Sequence, residues 1–395
     1  MRSHLLLPFV IIQLSWWGIS TAHAQENVSD QIESINQKLD SYRPGQSRFL
    51  LRGYADATFF SNKEETSFGN ARLVPVFIYK QSDKLLFEGE LEFEVEDGEV
   101  KVALEYANMY YQLGSKATLR MGKILVPFGI FFDRLHPSWI NRLPTLPMGY
   151  GHDGIIPTSD LGIELRSGIY LGNMKANYSI YVLNGPTINT GEHEAEEVGM
   201  LVNKGGVDNN NNKAVGGRFG LFPFKDQSLE LGFSAQSGKL GNRDSEFEDV
   251  SAFLYAFDWT YVKSISFLKG IIDVKGQLNF INIEDQTYVI DEGGVIEEFN
   301  FDNSSKSTFF QLAYRPAMSA NALISSLELV GRYSTLSTPN EAPWATENRQ
   351  LTLGLNYWID WRTAIKFAYQ KDKIDNQEAG KIDAGVFFLQ WTLGF

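Results

Sequence analysis

Six side chains able to hold ions or move protons crowd one stretch of this chain: Asp133, Arg134, His136, Arg142, His152 and Asp153 all fall within 125–159. Guanidinium groups bind carboxylates and other small anions through paired, charge-assisted hydrogen bonds. Arg134 and Arg142 are therefore candidates for a small anion or carboxylate site. Asp133, His136 and Trp139 join them as candidate solute-contacting groups. The same stretch carries Phe131, Phe132, Trp139 and Tyr150 as packing anchors and Pro127, Pro137, Pro144, Pro147 and Pro157 as stiffeners. A mobile surface loop has no need of so many rigid groups. The segment is expected either to fold inward as a constriction or to pack as a lid over the mouth of the fold.

Other chemistries fit less well. A Ser-His-acid hydrolase would have to use His136, His152 or His193, yet no G-x-S-x-G elbow occurs. Glu192-His193-Glu194, with Glu196 and Glu197, could hold a divalent cation, but reads better as a solvated acidic loop. The chain has no cysteine, which excludes disulfides and thiolate metal sites. Its formal net charge of -13 argues against nucleic acid as a partner. No cofactor and no metal site are expected.

The elements that must position these groups show a side-chain period of two. Leu85, Phe87, Gly89, Leu91, Phe93 and Val95 alternate with Leu86 and then Glu88, Glu90, Glu92, Glu94 and Glu96. Similar apolar stripes run through Phe253-Tyr255-Phe257-Trp259-Tyr261, Leu327-Leu329-Gly331-Tyr333 and Leu351-Leu353-Leu355-Tyr357. A strand with one uniformly apolar face and charges on the other suits a barrel with lipid outside and water within. Read this way, the chain predicts sixteen strands: 49–60, 68–80, 85–96, 100–113, 117–124, 160–167, 174–184, 213–222, 228–237, 250–262, 269–283, 307–315, 323–335, 348–358, 362–372 and 381–395. Odd connections are often long, such as 125–159, 185–212 and 284–306. Even ones are short, such as 81–84 and 114–116. That sorting is expected of an outer-membrane barrel with both termini in the periplasm.

Inward parity places the five glutamates in one lumen stripe, with Glu105 beside it. It places Arg52, Arg72, Arg120 and Arg166 on the lumen wall, and Arg218, Arg332 and Lys366 further round; Lys123 is also expected on that wall. Acid facing base across a wet pore would set up a transverse field. Alternatively, the charges only solvate and cross-link a polar interior.

The two ends agree with export to a membrane. Met1-Arg2-Ser3-His4, the apolar run Leu5–Ile19 and Ala22-His23-Ala24 form a signal-peptide pattern over 1–24. Residues 25–46 place Val28, Ile32, Ile35, Leu39 and Tyr42 at heptad spacing before Pro44-Gly45, which suits a short trimeric coiled coil or a frayed spacer. The last strand alternates through Phe387, Leu389, Trp391, Leu393 and Phe395. A soluble sandwich strand is the alternative for that segment.

Gly53-Tyr54-Ala55-Asp56, Gly122-Lys123-Ile124-Leu125-Val126-Pro127-Phe128-Gly129, Leu183-Asn184-Gly185-Pro186 and the aromatic-ended last strand resemble the phosphate-selective porins O and P. The resemblance implies a sixteen-stranded trimeric channel whose third outer loop narrows the lumen. It does not carry phosphate selectivity over, because no strand shows a basic ladder. The expectation is therefore an all-β transmembrane barrel over 47–395 in the outer membrane of a Gram-negative bacterium. It would be a non-enzymatic homotrimer among lipid and lipopolysaccharide, passing small polar solutes or ions by diffusion. A non-conducting barrel serving as adhesin or structural anchor is the main rival, and an outer-membrane hydrolase a lesser one.

Overall fold

The computed structural model describes residues 48–395 apart from 97, 152, 153, 193, 204, 293, 294 and 377–379. The expected leader and the heptad segment 25–46 lie outside the described residues, as do His152, Asp153 and His193.

Sixteen antiparallel strands close into one barrel. They are β1 (Phe49–Ser61), β2 (Thr66–Lys80), β3 (Leu85–Glu96), β4 (Glu99–Leu113), β5 (Ala117–Leu125), β6 (Ser159–Leu171), β7 (Met174–Leu183), β8 (Ala214–Phe222), β9 (Leu229–Lys239), β10 (Ser251–Ile265), β11 (Gly270–Ile283), β12 (Ser304–Arg315), β13 (Leu327–Ser337), β14 (Thr346–Trp358), β15 (Thr363–Asn376) and β16 (Gly380–Gly394). Each of the sixteen predicted strands is present. Closure is made by β1 on β16, with Tyr54 opposite Gly394 and Ser61 opposite Phe387. A barrel leaves no unpaired edge, so every backbone group in a lipid-facing wall finds its partner.

The burial pattern is inverted relative to a soluble protein. Gln277, Asn279, Ser307, Thr352, Asn356 and Thr392 are completely buried, whereas Phe253, Phe257, Leu329, Leu353 and Trp391 are exposed. The exposed apolar groups pack across the outer surface, as in the stacked pair Tyr255–Phe280 with centroids 4.8 Å apart. Water cannot be the solvent for that face without great cost, and a hydrocarbon layer can.

The long connections 126–158, 184–213, 240–250, 284–303 and 338–345 all leave one end of the barrel, here the long-loop end. The opposite, short-turn end has tight connections such as 81–84 and 172–173. Most strand starts differ from expectation by one to four residues, and at β13 the reason is local. Residues expected to open β13 from 323 instead form a single helical turn, Ala322–Ser326, because the Asn321 side chain accepts the Leu323 and Ile324 amides and caps it.

A register shift between Glu90 and Leu91 makes Glu105 an extra residue in β4. Such a bulge reverses which side chains of the strand face inward. Beyond it, Tyr106 and Asn108 are buried while Met109 and Tyr111 face out.

Candidate functional site

The connection 126–158 does not stay at the mouth. It crosses the lumen and is hydrogen-bonded to the walls around it. The Gly129 amide donates to Ser234 Oγ at 2.9 Å and the Ile130 amide to Gln277 Oε1 at 2.8 Å. Ser307 Oγ donates to the Met148 carbonyl, and Arg332 donates to the Thr145 and Leu146 carbonyls. Deepest in the barrel, Lys366 Nζ donates to the Ser138 carbonyl at 2.5 Å and to the Asn141 carbonyl at 2.8 Å. Lys366, Asp273 and Glu328 all sit near the starts of their strands at the short-turn end, so the loop descends almost the length of the barrel.

Gly129 shows how closely it seats. Its φ is +69°, and a Cβ there would lie 1.9 Å from Gln277 Nε2. Glycine suits both the positive φ and the close approach to Gln277.

Phe128, Ile130, Phe131 and Tyr150 of this loop join Val198, Phe247, Tyr288 and Phe301 of other long connections in one apolar core. Phe131 and Tyr150 have ring centroids 4.9 Å apart, and Trp344 Nε1 donates to the Val198 carbonyl at 2.8 Å. This core occupies the long-loop half of the lumen against inward-facing residues of β5, β7, β10 to β12 and the long connections. Among the described residues, strands β1 to β4 contribute nothing to it.

The charged groups fall into two regions. In the first, arginines are matched to carboxylates. Arg120 pairs with buried Glu164 and also donates to the Leu125 carbonyl. Arg166 bridges Glu164 at 2.7 Å and Asp133 at 3.1 Å. Arg134 meets Glu230 at 2.7 Å, and Arg218 meets both Glu230 and Asp258. Burial would raise the pKa of Asp133, but Arg166, Arg120 and Arg134 outweigh it and hold the carboxyl below its ordinary value. Arg142 meets Asp273 and Glu328, each at 3.1 Å, with its guanidinium 5.3 Å from the Trp358 ring centroid. Its charge is spent on pinning the loop, and it lines neither of the two cavities described below.

The second region lies along β1 to β4. Arg72 reaches Asp56 at 3.0 Å and Glu92 at 3.9 Å. Glu94 accepts from Asn70, and Glu88 accepts from Tyr106. Acids outnumber bases here. The base is beside the acid stripe rather than facing it, and most arginines across the lumen are already neutralised, so a simple transverse field between opposed walls does not form. Lys123 is another departure. It pairs in register with Ala107 and with exposed Leu161, so it lies on the outward face, and its amine folds back to the Leu104 carbonyl.

The loop meets this acidic wall at His136. Its Nδ1 lies 2.6 Å from the Phe132 carbonyl oxygen and its Nε2 lies 3.3 Å from Glu90 Oε1. A carbonyl only accepts, so Nδ1 carries a hydrogen, and Nε2 can bond the carboxylate only when a second proton is present. Burial would lower the His136 pKa, but the hydrogen bond and charge of Glu90, with the Phe132 carbonyl, raise it above the ordinary value. Tyr54 donates to the same Glu90 oxygen. Tyr54, Glu90 and Tyr106 are buried and, with His136, form a septum across the polar side of the lumen.

On the short-turn side of the septum lies a cavity of about 440 Å³ lined by Arg52, Tyr54, Glu88, Glu90, His136, Trp139 and Arg362 among others. A second cavity of about 340 Å³ shares Asp133, Arg134 and Arg166 with it and extends to Lys116 and Arg218. Trp139, expected at the constriction, is at the floor, with its ring against Gly394 and edge-on to Trp361.

No family model matches the chain. An uncharacterized protein of Aquifex aeolicus is 25% identical over 348 residues, covering 82% of this chain and 77% of that protein. Three solved structures each cover 88% of this chain and 97–99% of their own. They are the outer membrane channel DcaP of Acinetobacter baumannii (TM-score 0.55, 11% identity), OmpF of Salmonella typhi in complex with daunomycin (0.55, 12%) and the anion-selective porin of Comamonas acidovorans (0.54, 13%). The fold is the outer-membrane porin barrel. Within that porin-type barrel, sequence parity located the inward arginines and the glutamate stripe. It missed the partners Glu164, Glu230, Asp258, Asp273 and Glu328, which sit on the same inward parity and would have been found by carrying the count along each strand.

Proposed function

We propose that this chain is an outer-membrane channel through which small hydrophilic solutes diffuse passively, with no chemical step and no cofactor. The observation that carries this reading is the pairing of an inverted, closed sixteen-stranded barrel with charged cavities of about 440 and 340 Å³ beside the loop that crosses its lumen. The route runs off-centre along β1 to β5, with Asp56, Arg72, Glu92 and Glu94 towards the long-loop end and the 440 Å³ cavity towards the periplasm. Because the exposed acids along this route exceed the bases, the channel favours cations. Arg134 and Arg142 serve as ties between loop and wall. A homotrimer, exported with the help of residues 1–24, is the assembly this reading carries.

Single-channel current in a planar bilayer across a salt gradient tests it. Stepwise conductance in threes with a cation-selective reversal potential is expected. A folded barrel that passes no current would give the channel up.

The alternative of a closed barrel used as a surface anchor or adhesin has one observation in its favour. The apolar core fills the long-loop half of the lumen, and the septum residues are buried. The same measurement separates the two.

A further inference from the structure

The cavity under the loop is lined by charges of both signs, and three of them, Arg52, Arg362 and Glu88, have no ionic partner among the described residues. Arg52 is exposed within it and, among the described residues, has no carboxylate partner. Arg362 is likewise without a carboxylate. Its guanidinium lies 3.9 Å from the Trp361 ring centroid and 5.7 Å from that of Trp139, and its Nε is buried with no hydrogen-bond partner. On the other side, Glu88 is approached by the Tyr106 and Tyr110 hydroxyls and by no cation, and Glu90 by Tyr54 and His136. Val76 and Ile78 of β2 stand between Arg52 and the two glutamates, pairing in register with Glu90 and Glu88. Two strand spacings separate Arg52 from the two glutamates, roughly 10 Å at the backbone, and these side chains are long enough to reach inward.

Elsewhere in the barrel, buried guanidiniums are satisfied within the protein, Arg120 by Glu164, Arg218 by Asp258 and Arg332 by the Thr145 and Leu146 carbonyls. Leaving Arg52 and Arg362 on one side and Glu88 on the other of a single cavity without ionic partners, with Glu90 held only by Tyr54 and His136, therefore sets a condition on its occupant. A simple anion meets Glu88 and Glu90, and a simple cation meets Arg52 and Arg362. Like-charge contact in a space with low-dielectric walls costs more than it would in bulk water. A molecule with a carboxylate at one end and an ammonium at the other satisfies both sides. Tyr54, Tyr106 and Trp139 supply apolar surface for its body, and 440 Å³ lies within the range of about 300–1,000 Å³ typical of small-molecule sites.

We propose that this cavity is a binding site for small zwitterionic solutes of the amino-acid or short-peptide class. The carboxylate is held by Arg52 and Arg362 and the ammonium faces Glu88 and Glu90. The proposal rests on reading the barrel as a solute channel, and names the solute.

Calorimetric titration of the detergent-solubilised protein with alanyl-alanine, its N-acetyl derivative and its C-terminal amide tests the charge requirement without relying on current. Alanyl-alanine is expected to bind at least about tenfold more tightly than either capped form. Arg52→Gln and Glu88→Gln are each expected to weaken it by a similar factor, while Arg349→Gln, paired with Glu347 on the exposed end of β14, leaves it unchanged. Circular dichroism and heat denaturation confirm that the variants fold. Equal affinity for the three ligands, no binding at millimolar concentration, or insensitivity to both substitutions would overturn the proposal. A barrel that conducts but binds all three alike loses the site and keeps the channel; one that binds only the zwitterion but passes no current loses the channel and keeps the site.

Discussion

Trp139 and Trp361 meet edge to face with ring centroids 6.2 Å apart, although one belongs to a loop that enters from the long-loop end and the other to a turn at the opposite end. The contact fixes how far the loop descends. A constriction placed at mid-height would have left Trp139 well short of the 359–362 turn. Instead the loop forms a strap through the lumen, and what passes the barrel must pass beside it.

The strap is held at its deepest point by Lys366, which is completely buried and donates to two loop carbonyls and to Gln390. Lys366→Met removes the donors and leaves the Ser138 and Asn141 carbonyls without them, at a cost of about 1–3 kcal/mol. A lower unfolding midpoint and a larger single-channel conductance are expected. No change in either would mean that the strap is held elsewhere.

The acid stripe lines the proposed route. Replacing Glu90, Glu92 and Glu94 together by Gln keeps their size and their capacity for hydrogen bonds and removes three negative charges from one wall. The reversal potential in a salt gradient is expected to move towards anion preference with the barrel still folded. An unmoved potential would take the stripe out of the conduction path.

The septum depends on the His136 proton. Because its folded pKa is raised, the His136–Glu90 bond contributes fully below the unfolded value of about 6.5 and is lost as pH rises through the folded value. The groups around it are Glu90, Glu88 and Glu105 with Tyr54 and Tyr106 on the walls, and Asp133 and Arg134 on its own loop. Conductance is expected to rise between neutral and alkaline pH. His136→Gln, whose amide donates at every pH, is expected to abolish that rise, and persistence of the rise in the variant would assign it to another group.

Asp133 acts with the opposite sign. Its pKa is held down by Arg166, Arg120 and Arg134, so its contribution is complete above the unfolded value of about 3.9 and lost as pH falls through the lower folded value. Loosening of the loop at strongly acid pH, read as faster amide exchange over 128–136, is expected to appear at milder pH in Asp133→Asn. Identical exchange profiles for the two proteins would remove Asp133 from the anchor.

Period-two alternation determined the barrel by itself. A strand such as β3, with Phe87 and Val95 on one face and Glu90 and Glu94 on the other, tolerates only one arrangement in which lipid meets the first set and water the second. The same alternation, with prolines and aromatics crowded into 125–159, pointed to the loop that matters. What it could not decide was pairing between distant segments. Whether Arg142 would face solute or lock onto Asp273 and Glu328 depends on how deep the loop descends, and that is set by contacts such as Trp139 on Gly394 and Lys366 on Ser138. Lys123, three residues from inward Arg120 on one strand, belongs by parity to the outward face, and the ladder it shares with Ala107 and Leu161 puts it there. Charge type is written in the sequence; whether a charge is spent on the protein or left for a solute is decided only when the chain closes on itself, because a salt bridge needs two partners within a few ångströms and the sequence supplies some of them, such as Arg142 and Glu328, 186 residues apart.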